Sequence, residues 1–182
     1  MLTFNPALLD EVQQRLPMPV RCLAPSFFRY PEATPSPTPR LELLHVGSLG
    51  PHHPRRRELV EALVRRQQVP FSHTTTANAE EAAQLYAHHA LVLNVPLNQD
   101  LNHRLFEVMA AGVPQVIFGH PSLLGKHSLL SNRPDLFWVQ SIEELEALVK
   151  QLFSNPIWLR TRPVEAPPYW DLKKLLKQAL AP

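Results

Sequence analysis

The sequence predicts an α/β fold, a Rossmann-like parallel sheet of about five strands flanked by helices. Three observations carry the prediction. From Leu41 onward, short apolar runs alternate with stretches of helical periodicity, the pattern of successive β-α units. Polar caps and breakers fall at the boundaries between them. The stretch 98–118 condenses the pattern: a polar helix start, a helix carrying Arg104 and Glu107, a stop at Gly112 and a strand opened by Pro114.

The elements follow in chain order. Asn5-Pro6 reads as an N-cap followed by proline at the first helical position, so 6–16 is expected to be a short amphipathic helix through Leu8, Leu9, Val12 and Leu16. A brief strand is expected at 20–23. The proline-rich segment 24–40 sustains neither helix nor central strand and reads as an extended connector. Strands are expected at 41–46, 69–73, 90–95, 115–118 and 136–139, with helices at 55–67, 79–87, 102–111 and 142–153. Asn78 precedes Glu80 and Glu81, and Ser141 with Glu144 forms a capping box ahead of a stripe through Leu145, Leu148 and Leu152. The tail holds Trp158, Trp170 and a Lys-rich helix at 171–180 whose leucine stripe needs a partner surface. The expected organisation is therefore 1–40 as N-terminal helix and connector, 41–155 as the Rossmann-like domain, and 156–182 as a helical tail.

A chain of 182 residues fits one ordinary domain with a small appendage. Its 18 basic and 16 acidic residues leave no charge excess that demands nucleic acid. Cys22 is the only cysteine, so no disulfide can form within the chain, and a reducing cytoplasm fits. The longest apolar runs fall far short of the roughly 20 residues that span a bilayer. The N-terminus lacks a basic segment followed by an apolar one, so neither export nor a membrane anchor is expected.

In parallel α/β sheets, ligands gather beyond the carboxyl ends of the strands. Here those ends hold His45 and the Gly47-Ser48-Leu49-Gly50 turn, His73 with Thr74 to Thr76, the segment 94–102, and Gly119 and His120 with the loop to Lys126. Backbone N–H groups of the glycine turn could approach a phosphate, although neither the G-x-G-x-x-G nor the phosphate-loop lysine pattern is present. Arg55, Arg56 and Arg57 head the next helix. They read either as a solvated basic face or as a source of one cation, Arg57, for a diphosphate. On the helix near Asn102, Leu101, Leu105, Val108, Met109 and Gly112 share the packing face, while Asp100, Arg104, Glu107 and Ala111 form another stripe. Arg104 and Glu107 suit an i, i+3 surface ion pair or, equally, a site in which the carboxylate accepts two ribose hydroxyls. The adjacent pairs His52-His53 and His88-His89 diverge by about 100 degrees on a helix, which disfavours a metal site. There is no G-x-S-x-G elbow, Cys22 has no nucleophile motif around it, and no expected strand ends in the carboxylate of a phosphoreceiver.

The pattern Asn102-x-Arg104-x-Phe106-Glu107-x-x-Ala110-x-Gly112-x-Pro114 resembles the donor-site helix in the C-terminal half of GT-B-fold glycosyltransferases, especially the group-1 and CgeB-like proteins. The resemblance covers about 41–155. It implies that Glu107 binds the ribose of a nucleotide-diphosphate sugar and that Arg104 orients it or meets the donor. It further implies that backbone N–H groups of the Gly47-Ser48 turn, with Arg57 and Lys126, hold the diphosphate. With Asn102 at the head of the motif, the implied substrate-binding set is Gly47, Ser48, Arg57, Asn102, Arg104, Glu107 and Lys126, without metal or cofactor and with catalytic residues unknown. Many group-1 enzymes carry a further glutamate eight residues before the ribose ligand, where this chain has Gln99. The resemblance covers only the second of the two GT-B domains. The chain alone is therefore expected to bind donor without completing transfer, the cleft being closed by a partner chain or a second copy. The alternative expectation is a non-catalytic protein-interaction module on a degenerate glycosyltransferase fold. A nucleic-acid role through Arg55–Arg57 and Arg65-Arg66 is a minor third reading.

Overall fold

The computed structural model describes residues 2–3, 9–22, 28–97, 101–124, 130, 133–161, 164 and 177. Gln99, Lys126 and, apart from Lys177, the expected tail helix lie outside the described residues. Two short parallel strands, β1 (Leu2–Thr3) and β2 (Arg21–Cys22), flank α1 (Leu9–Arg15). The main sheet contains β3 (Arg40–Val46), β4 (Phe71–Thr74), β5 (His89–Asn94), β6 (Gln115–Phe118) and β7 (Leu136–Val139), all parallel in the order β4-β3-β5-β6-β7. Between and after them run α2 (Pro54–Arg66), α3 (Ala79–Ala87), α4 (His103–Ala110), a 3-10 turn at Pro121–Leu124, α5 (Ile142–Ser154) and α6 (Pro156–Thr161).

Alternation along the strands divides the core into two layers. Leu43, Leu91, Leu93 and Val116 pack with Leu59 and Leu63 of α2 and with Leu145, Val149 and Leu152 of α5. Leu44, Val46 and Val92 point the other way, towards Ala82 and Tyr86 of α3 and Val108 of α4. Every residue of β5 is buried, as a central strand covered on both faces requires. The chain leaves β3 to form β4 on one side and returns to form β5 on the other. This reversal opens a crevice at the carboxyl ends of β3 and β5.

The caps form largely as expected. Asn78 accepts from the Glu81 N–H at 2.8 Å and Ser141 from the Glu144 N–H at 3.1 Å. The Glu144 carboxylate reaches back one residue further than a simple capping box, to the Gln140 N–H at 2.7 Å. Gly112 ends α4 in a left-handed conformation (φ +70°), with its own N–H bonded to the Met109 carbonyl and the Val113 N–H to the Val108 carbonyl, a Schellman stop. A Cβ here would also lie 2.9 Å from Pro35 Cγ. Gly112→Ala is expected to cost about 1–2 kcal/mol from the left-handed backbone alone. Urea unfolding measures this, and an unchanged midpoint would refute it.

Two expectations change. No residue of α1 is buried; Gln13 instead turns the chain after the helix, donating to the Met18 carbonyl and accepting from the Val20 N–H at 2.8 Å. The described part of the connector, 28–39, lacks helix and strand but is not a free linker. Ser36 N–H bonds to the Ala87 carbonyl at 2.8 Å, and Tyr30 stacks on Phe106 with centroids 6.2 Å apart. Among the described residues, no helix is long and apolar enough to cross a membrane.

Candidate functional site

β3 delivers the chain to Gly47, whose N–H bonds to the Thr74 carbonyl at 2.8 Å and whose carbonyl accepts from His73 Nε2 at 2.7 Å. Gly47 has φ +151°, and an added Cβ would lie 2.9 Å from Arg104 Nη2. The glycine thus lets the Arg104 guanidinium lie directly on the turn. Ser48 Oγ closes the turn by accepting from the Gly50 N–H at 3.1 Å. α2 then opens with Pro54, without a side-chain cap and without an acidic residue in its first turn. Its free N–H groups and its positive dipole end are left to solvent or to an anion.

Of the arginines heading α2, Arg56 rather than Arg57 is turned into the crevice. Arg56 is 7% exposed, donating from Nη2 to the Val95 carbonyl at 3.1 Å and from Nη1 to the Ser48 carbonyl at 3.4 Å, while Nε is buried without a partner. Arg57 is half-buried and Arg55 exposed. From α4, Arg104 donates through Nε to the Tyr86 hydroxyl at 3.4 Å, and its Nη1 is buried and unpartnered. Among the described residues, no carboxylate lies within 4.0 Å of either guanidinium. Burial first, and then the Arg104 charge, lower the Arg56 pKa to about 10. Two cations that repel each other, with no carboxylate within 4.0 Å among the described residues, raise the local positive potential of the crevice.

Beneath them lies His45, fully buried, with Nδ1 3.0 Å from the Leu93 carbonyl and its ring stacked on His73 at 5.6 Å. The carbonyl can only accept, so Nδ1 carries the proton and Nε2 is left as a buried lone pair without a partner. Burial first, then the Arg104 charge, lower its pKa to about 3. His45 is therefore neutral and adds no third charge. Because the unfolded histidine titrates near pH 6.5, stability is complete above that pH and falls as the pH drops towards 3. The melting temperature is expected to decline across this window. His45→Gln should flatten the decline, and an unchanged slope in the variant would exclude His45 as its source.

Glu107 stands one turn beyond Arg104, partly buried. The expected surface ion pair between them is not made. The Tyr86 hydroxyl instead links them, donating to Glu107 Oε2 at 3.5 Å while receiving the Arg104 Nε proton. Both contacts are long, so the carboxylate retains acceptor capacity. Burial raises the pKa of the Tyr86 phenol, partly offset by Arg104. Burial and then the Glu107 charge raise that of Tyr30, whose hydroxyl lies 2.7 Å from His103 Nδ1. Asn102 caps α4 by accepting from the Leu105 N–H at 3.2 Å and donates to Asn94 Oδ1 at 2.8 Å. Gln115 ties Asn94 to the Leu105 carbonyl. The start of the helix is thereby fixed to the end of β5, which sets the reach of Arg104 and Glu107.

The structure thus brings together Gly47, Ser48, Asn102, Arg104 and Glu107, adds Arg56, His45 and Tyr86, and leaves Arg57 outside the buried cluster. Arg66 is bonded to Glu146 at 2.8 Å and Glu143 at 2.9 Å, which removes it from any free basic patch, while Arg65 is exposed and lies 3.9 Å from Glu61. Among the described residues, no group of three or more His, Cys, Asp or Glu side chains could hold a metal ion.

A family described as glycosyl transferase-like matches residues 39–161. The chain belongs to that family. No curated protein matches it in sequence. Among solved structures it is similar to S. aureus TarM in complex with fondaparinux, alpha-GlcNAc-glycerol and UDP, with TM-score 0.51 and 13% identity over 87% of this chain and 38% of TarM. It is also similar to a chain of the GtfA/B complex, with TM-score 0.51 and 12% identity over 98% of this chain and 45% of the other. These neighbours are GT-B glycosyltransferases, and the likeness is one of fold. The glycosyl transferase-like chain spans less than half the length of either, which fits a single domain of that fold.

Proposed function

We propose that the crevice binds the nucleoside-diphosphate part of a nucleotide-sugar donor and that the chain is the donor-binding portion of a glycosyltransferase. The observation that carries this reading is the meeting of Arg56 and Arg104, neither with a carboxylate within 4.0 Å among the described residues, over the Gly47 turn, one helical turn from the open carboxylate of Glu107. Glu107 accepts the ribose hydroxyls. The guanidiniums and the free N–H groups of α2 receive the diphosphate, and the same fixed charge stabilises it as the leaving group in glycosyl transfer. The neutral His45 keeps the floor from repelling Arg104. Family membership and the UDP held by TarM support the reading. The short span relative to the neighbours supports a second component, an acceptor-binding partner or second copy that completes the cleft, as does the existence of GtfA/B as a complex.

Arg104→Ala tests the diphosphate role. It is expected to weaken UDP or GDP binding about tenfold, the worth of one charge-assisted hydrogen bond, with little change in melting temperature. Unchanged affinity would remove Arg104 from the site. Donor hydrolysis measured with and without candidate partner chains separates a transferase subunit from an interaction module.

A further inference from the structure

Beside the anion site, a second cavity of about 310 Å³ opens at the carboxyl ends of β5 and β6. Leu59, Leu97 and Phe118 wall it, and Val95, whose carbonyl holds Arg56, joins it to the first site. Its free polar side chains are donors. Arg55 at the rim is exposed and, among the described residues, has no carboxylate within 4.0 Å. His120 is the other. Its Nδ1 accepts the Ser122 N–H at 3.0 Å and lies 2.8 Å from Ser122 Oγ. A ring nitrogen that accepts a backbone N–H carries no proton, so the His120 proton sits on Nε2. In this arrangement His120 offers Nε2–H as a hydrogen-bond donor.

We propose that this cavity is a binding site for a small amphipathic anion: an aromatic or short aliphatic body carrying a phosphate or carboxylate. The apolar walls accept the body, and Arg55 with His120 Nε2–H receives the anionic oxygens. A sugar would be poorly matched, because its many hydroxyls need acceptors and, among the described lining residues, there is no carboxylate. The volume is at the small end for ligand pockets, which suits a single ring or a short chain.

The test is an NMR titration of the full chain with phenyl phosphate, benzoate, inorganic phosphate and glucose. Phenyl phosphate or benzoate is expected to saturate, at least about tenfold tighter than inorganic phosphate, and whichever is tighter identifies the anionic group. Arg55→Ala and His120→Asn should each weaken it about tenfold. Asparagine keeps the acceptor for Ser122 but loses the distal donor. His120→Gln places an amide N–H near the Nε2 position and should retain most of the affinity. Neither Glu107→Ala nor saturating UDP should displace the aromatic anion. Equal affinity for inorganic phosphate, tighter binding of glucose, equal damage from His120→Gln and His120→Asn, or displacement by UDP would each overturn the proposal. Should UDP fail to bind while phenyl phosphate saturates, the nucleotide reading fails and the cavity stands.

Discussion

Replacing Glu107 with alanine is expected to abolish measurable UDP or GDP binding while leaving the melting temperature nearly unchanged. The carboxylate contributes little to the fold. Among the described residues its hydrogen-bond contact is the 3.5 Å approach of the Tyr86 hydroxyl, and side chains that are partly exposed and weakly bonded usually change stability by less than about 0.5 kcal/mol when replaced. Its expected contribution to binding is larger. Two ribose hydroxyls bonded to a carboxylate are worth about 1.5–3 kcal/mol each, which together exceed a hundredfold in affinity. Calorimetric titration alongside thermal unfolding distinguishes the cases. Unaltered affinity would remove Glu107 as the ribose ligand, and lost affinity with a much lower melting temperature would make its role structural.

Asp135→Ala is expected to have the largest effect on stability, about 3–5 kcal/mol. Asp135 is fully buried and grips Arg133 through two bonds, Nε to Oδ1 at 3.0 Å and Nη2 to Oδ2 at 2.7 Å. Its carbonyl accepts the Gln115 N–H at 3.0 Å, so the pair sits where β7 joins β6. Deleting the carboxylate takes this bidentate counter-ion from the Arg133 guanidinium, itself 7% exposed, in a region with little water. Replacing both residues by apolar ones of similar volume should recover much of the loss, because the penalty is mainly that of a buried charge deprived of its bidentate counter-ion. Urea unfolding of the single and double variants measures both terms. A single-variant loss below about 1 kcal/mol would contradict the weight given to the Arg133–Asp135 pair.

The sheet was legible because its strands obey two local rules together, apolar runs and breakers at their ends. β6 begins right after Pro114 and Gly112, and its bounds match expectation. β4 starts later than expected, at Phe71 rather than Val69, since Pro70 has no N–H for the ladder and supplies only its carbonyl, to Leu43. α6 lies at the start of the segment expected as a helical tail, ahead of the helix expected at 171–180; Pro156 is well suited to a first helical position and Leu159 is buried. In the site, the stripe of α4 was enough to put Arg104 and Glu107 together. Arg56 carries a signal in the sequence that Arg57 lacks. Arg56, Leu59, Val60 and Leu63 form an i, i+3, i+4, i+7 set, and these are the buried residues of α2. Tyr86 carried no such signal, and His45 was marked only by its place at the carboxyl end of β3. Each sits within an apolar face of its own element, and only the packing of α3 against α4, and of β3 beneath Arg104, turns them into parts of a polar site.

The most direct measurement of the central claim is a calorimetric titration of UDP and GDP into the intact wild-type chain. Saturable one-to-one binding of at least one of them, lost on Glu107→Ala and weakened on Arg104→Ala, is the predicted result. Absence of binding by both nucleotides to a correctly folded wild-type chain would contradict it and leave the interaction-module reading in its place.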